Sequence, residues 1–112
     1  MKLRPEVQWF AEQMERRLRA KDAKRGGNSW KSSTSGPLLD AMLEETEKLK
    51  DILISRLTEE IKRTGSRRGP VPLNLSEQDR REVIRESADV ANYAMMVADV
   101  IRCPKAQEKA RP

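Results

Sequence analysis

Two pairs of acids in this sequence have the spacing to hold a cation. Glu44 and Glu47 are three residues apart, and so are Glu86 and Asp89. On a helix, residues three apart are neighbours on one face. Each pair therefore offers two carboxylates to one point. Asp40 and Asp51 share the stripe of the first pair, and Glu82 shares that of the second. If the two helices pack antiparallel, the pairs can face each other. Four carboxylates in a small volume repel and call for cations. The chain has no histidine and one cysteine, Cys103. Serine–histidine and cysteine–histidine catalysis and imidazole-ligated zinc are thereby excluded. Oxygen donors alone suit Mg²⁺, with Mn²⁺ as a substitute. A cation so held binds phosphate oxygens, neutralises their charge and activates water.

A lone acid pair on a helix is usually a solvated face. The setting of these pairs is what argues for chemistry. Glu47 edges the apolar arc of Leu39, Leu43 and Ile61. Glu86 and Asp89 flank Val83, Val90 and Val97, and Asp89 lies in ESADVANYAMMVAD, the least charged stretch. Carboxylates at the margin of a core helix are costly without a partner.

Three helices must position these acids. The first starts near Pro5, a residue suited to a first helical turn. Its apolar face reads Val7, Phe10, Ala11, Met14 and Leu18, and Gly26-Gly27 ends it. Residues 26–36 are a Gly/Ser loop carrying Trp30 and Lys31. The second helix is expected from about Pro37 to Arg63, with Leu39, Met42, Leu43, Leu49, Leu53, Leu57 and Ile61 on one face. Residues 64–75 hold two Gly, two Pro and two Arg and read as a loop or hinge. Ser76 is an N-cap for a third helix over Glu77–Arg102, with Asp79 in its first turn. In that helix Val83, Ser87, Val90, Ala94, Val97 and Ile101 form a seven-residue repeat, and Ala88, Ala91, Ala94 and Ala98 keep one side thin. No strand signal and no internal repeat is visible. The fold class is all-α, as one domain over residues 1–104 with a polar tail over 105–112.

At 112 residues, 37% hydrophobic and 37% charged, the chain makes thin helices. Oligomerisation is the expected way to complete such a core. The net charge of +5 suits an anionic partner, or simply solubility. No apolar run has transmembrane length, and the N-terminus lacks a signal-peptide core. The default expectation is a cytoplasmic protein with no membrane partner.

The segments LLDAMLEETEKL and VIRESADVANYAMMVADVI resemble the MazG-like superfamily of all-α nucleotide pyrophosphatases, whose signature is ExxE on one helix and ExxD on the next. The likeness covers roughly residues 5–102, and RPEVQWFAEQMERRL resembles the compact single-domain branch. The gap from Glu47 to Glu86 is longer than in the most compact members, the extra length being the basic loop 64–75.

The resemblance implies a Mg²⁺-dependent enzyme that splits nucleoside triphosphates between the α and β phosphates. It implies metal ligands Glu44, Glu47, Glu86 and Asp89. A metal-held water is expected to be the attacking group, deprotonated with help from Glu44 or Glu47. The resemblance further implies a homodimer or homotetramer with a four-helix-bundle core. Tyr93, one turn after Asp89, either lines the nucleotide pocket, as in similar proteins, or is a core aromatic. Asn92 either bonds substrate or is a satisfied helix polar group. Trp30 is suited to stacking on a base and Lys31 to neutralising phosphate, or Trp30 is a buried indole that anchors the loop. Lys21 and Arg17 could reach the phosphates or form a solvated basic face. The rival expectation is a basic helical dimer that binds nucleic acid, or an adaptor without catalysis. Arg67-Arg68 and Arg80-Arg81 favour it. Acids interleaved with the bases, and the lack of a recognition motif, argue against nucleic acid as the partner.

Overall fold

The computed structural model describes residues 1–25, 30, 35–65 and 75–102. These form three helices: α1 (Pro5–Arg25), α2 (Ser35–Thr64) and α3 (Glu77–Arg102). There is no strand among the described residues. Lys31, most of the basic loop, Cys103 and the polar tail lie outside them.

The helix ends follow local chemistry. Pro5 opens α1, where its missing N–H has no helical partner to lose. Pro37 was expected at the first position of α2 but is the third residue of that helix, still within the turn where proline is tolerated. Gly65 closes α2 with φ of 68°, its N–H bonded to the Ile61 carbonyl at 2.7 Å. That left-handed geometry suits glycine. Ser76 caps α3 through Oγ, which accepts from the Asp79 N–H at 3.1 Å. Ser76→Ala is expected to cost about 1 kcal/mol, seen as a lower urea midpoint with an unchanged slope.

Helix α3 is central and packs on both α1 and α2. Leu38 packs with Met96 and Val100, Glu45 meets Glu86, and Arg56 reaches Asp79 at 3.0 Å. Numbers rise on α2 as they fall on α3, so the two are antiparallel. Arg17 pairs with Asp89 and Lys21 sits over Tyr93, so α1 runs parallel to α3. The core is small: Leu38, Met96 and Val100, with Leu18, Trp30, Tyr93, Met95 and Val97 against it.

Two stripes differ from the expected ones. On α3 the buried residues are Ala88, Asp89, Asn92, Met96 and Val100, whereas Ala94, Ala98 and Ile101 face solvent. A helix flanked on two sides buries two adjoining stripes instead of one seam. On α2, Leu39, Leu43 and Leu57 are exposed, and the buried or half-buried line is Leu38, Met42, Glu45, Leu49, Ile52 and Arg56. The sequence carries two neighbouring apolar stripes on α2, and α3 covers one of them.

Candidate functional site

The turn in register on α2 decides which acids meet. Glu45, not Glu44 or Glu47, lies on the face that packs against α3. One oxygen from each of Glu45, Glu86 and Asp89 lies within 4.8 Å of the others. Glu44 and Glu47 are exposed, and Glu47 pairs with Lys50 at 3.6 Å. Of the four expected ligands, then, Glu86 and Asp89 converge, and Glu45 stands where the other two were expected.

The three carboxyls have unequal surroundings. Asp89 is 3% exposed and almost fully neutralised. Arg17 donates to both of its oxygens, at 2.9 and 3.0 Å, and Lys21 Nζ lies 3.6 Å away. This bidentate, charge-assisted pair is the strongest polar link between α1 and α3. It raises the pKa of Arg17 above its ordinary value, the hydrogen bond to Asp89 outweighing the cost of burial. Glu45 has Lys48 one turn along at 3.4 Å.

Glu86 has no basic partner of its own among the described residues. Its carboxyl is pushed up from 4.5 to about 7, first by burial, then by a hydrogen bond to Glu45 and the charges of Glu45 and Asp89. Lys48 pulls weakly the other way. With both acids ionised, Glu45 Oε2 and Glu86 Oε2 are buried without a donor. A shared proton, a bound water or a cation would satisfy them.

A divalent cation fits this donor set in part. Hard oxygens, two of them orphaned, suit Mg²⁺ or Mn²⁺. Asp89 fits less well, because Arg17 and Lys21 already occupy its oxygens. A cation there would share Asp89 with Arg17 or draw it away.

The other expected contacts are placed as follows. Lys21 stands over the Tyr93 ring at 4.8 Å, a cation–π contact that brings both to the rim of the acid cluster. Tyr93 is half-buried against the core. Asn92 is 2% exposed, and its Nδ2 donates to the Met14 carbonyl at 3.0 Å, pinning α3 to α1. Its Oδ1 is buried without a partner among the described residues. Trp30 is half-buried against the core, and its Nε1 has no acceptor among the described residues.

Glu45 was not among the expected ligands. Its signal was present in the 4-3-4-3-4 spacing of Leu38, Met42, Glu45, Leu49, Ile52 and Arg56, the spacing of a helix-pairing seam. A glutamate inside such a seam must meet a partner across it.

No protein-family model, curated protein or solved structure matches this chain.

Proposed function

We propose that the chain is a Mg²⁺-dependent nucleoside triphosphate pyrophosphohydrolase that yields the monophosphate and pyrophosphate. The observation that carries this reading is the pair of buried, donorless oxygens of Glu45 and Glu86 beside Asp89. The likeness of the α2 and α3 segments to the MazG-like superfamily supports it. So do the apolar residues left exposed on α1 and α2, which suit association with a second copy.

Glu45, Glu86 and Asp89 would hold the cation. When bound, it would neutralise phosphate charge and lower the pKa of a water. Glu86, pushed up to about 7 without a cation, would release its proton as the cation binds, which makes binding pH-dependent. Arg17 and Lys21, at the edge of the cluster, would offset charge on the leaving pyrophosphate. Tyr93 would help shape the wall beside them.

The second reading is a helical adaptor without catalysis. It is favoured by Arg17 and Lys21 already neutralising Asp89. One assay separates the two. A panel of NTPs and dNTPs is incubated with Mg²⁺ or with EDTA, and products are resolved. Metal-dependent release of pyrophosphate and monophosphate is expected from at least one nucleotide. Release of orthophosphate, or equal turnover in EDTA, would overturn the proposal. No turnover together with no cation binding would favour the adaptor.

A further inference from the structure

Helix α2 carries a second apolar stripe that no other described residue covers. Leu39, Leu43, Ile54 and Leu57 keep 46, 54, 50 and 39% of their surface exposed. Glu47 and Lys50, also exposed, stand between the two halves of this stripe. At ~100° per residue the six lie within an arc of about 80°, turned away from the line that packs on α3. From Leu39 to Leu57 the stripe runs about 27 Å along the helix. A contiguous apolar stripe left in water marks an interaction surface. Exposure alone does not name what covers it; the order of its residues does.

That order is the same from either end, with the two charges exchanged. About a point midway between Glu47 and Lys50, Leu39 mirrors Leu57, Leu43 mirrors Ile54 and the acid mirrors the base. Two copies of α2 laid antiparallel about a two-fold axis at that point would set Leu39 against the partner's Leu57. Leu43 would meet the partner's Ile54, and Glu47 would meet the partner's Lys50. Laid parallel, the same stripe would set Glu47 against the partner's Glu47 and Lys50 against the partner's Lys50. Within one chain Glu47 and Lys50 pair at 3.6 Å, with more than half of each side chain exposed. A pair so exposed holds little energy and is easily exchanged for two pairs across the axis. Antiparallel packing also opposes the two helix dipoles. Asp40, Glu44 and Asp51 lie further round the helix, toward the edge, where water and salt screen them.

We infer that this face of α2 binds the same face of a second copy, antiparallel, about an axis between Glu47 and Lys50. A two-fold contact requires a surface complementary to itself. The stripe has that property in its apolar residues and in its charges, and a partner of different sequence would not require it. The inference holds whether or not the acid cluster takes a cation, because Glu45 faces α3 and the stripe does not.

Sedimentation equilibrium of the full chain across the micromolar range, at physiological salt, tests it. A dimer is expected. Leu43→Asp should weaken it roughly 100-fold, because each copy then sets an unpaired charge against the partner's Ile54. Leu43 is exposed within one chain, so circular dichroism should not change. Charge exchange reads the register. Glu47→Lys and Lys50→Glu should each weaken association about ten-fold, since both cross pairs become like-charged. Mixing these two variants should restore association to the parent's level, because every cross pair then joins opposite charges. A monomeric parent would overturn the inference and leave the stripe to a partner of another kind. Undiminished association of Leu43→Asp would place the contact elsewhere, such as at Val7 and Trp9 on α1, and would overturn it too. A mixture no tighter than its components would overturn the antiparallel register.

Discussion

Glu86→Gln is expected to abolish nucleotide turnover and yet make the cation-free protein more stable at pH 8. The two effects have one cause. In the folded chain the Glu86 carboxyl is pushed up from 4.5 to about 7, by burial first and by Glu45 and Asp89 next. A carboxyl whose folded pKa lies above its unfolded one binds protons more tightly when folded. Its contribution to stability is whole below pH 4.5 and is lost as pH rises through about 7. At pH 8 the ionised side chain is therefore a net cost. Glutamine removes that charge, keeps the shape and supplies a donor for the orphaned Glu45 Oε2. Because Glu86 is partly solvated, the gain is discounted to about 1–2 kcal/mol. That corresponds to a Tm roughly 4–10 °C higher. Below pH 4.5 the two proteins should melt alike. Turnover should fall by at least ~10²-fold, because a ligand of the cation is lost, and Mg²⁺ should cease to raise Tm. A variant that melts lower than the parent at pH 8 would show that Glu86 serves the fold, and the metal reading would lose its main support.

The same residue shows how far the sequence could be read. The three helices, the cap at Ser76 and the stop at Gly65 follow from local rules, because capping and left-handed glycine depend on a few neighbouring residues. Glu86 and Asp89 could be picked out because Glu86 opens, and Asp89 interrupts, the least charged stretch of the chain. Their partner on α2 could not be fixed in that way. Leu39 and Leu43 make as good an apolar stripe as Leu38 and Met42, one residue away. Which stripe turns inward is settled by packing against α3, and one residue of difference rotates the helix by about 100°. That rotation exchanges Glu44 and Glu47 for Glu45. The embrace of Asp89 by Arg17 was equally hidden. The two residues lie 72 positions apart, and nothing local distinguishes Arg17 from its neighbours Arg16 and Arg19.

Arg17→Ala is the second large effect, and it separates the two readings of the acid cluster. The Asp89 side chain is 5% exposed, whereas that of Arg17 is 30% exposed. Removing the arginine strands a buried carboxylate with only Lys21, at 3.6 Å, beside it. Breaking a buried pair from one side costs about 3–5 kcal/mol, and the lower end applies while Lys21 remains. In a small domain that is a large share of the total stability. Asp89→Leu should cost less, because the freed guanidinium can turn toward solvent along its aliphatic stem. Arg17→Met combined with Asp89→Leu should recover most of the loss, since an apolar pair replaces two desolvated charges. The response to Mg²⁺ then distinguishes the roles. If the acids form a cation site, Arg17→Ala empties Asp89 of its competitor. Millimolar Mg²⁺ should then raise the Tm of this variant by more than it raises that of the parent, by mass action on the folded state. If the apolar pair restores stability while Mg²⁺ does nothing to Arg17→Ala, Asp89 is a structural pin between α1 and α3, and the adaptor reading prevails. The arginine thus acts either as the fold's own counter-ion or as a placeholder for one, and thermal melts with and without Mg²⁺ tell which.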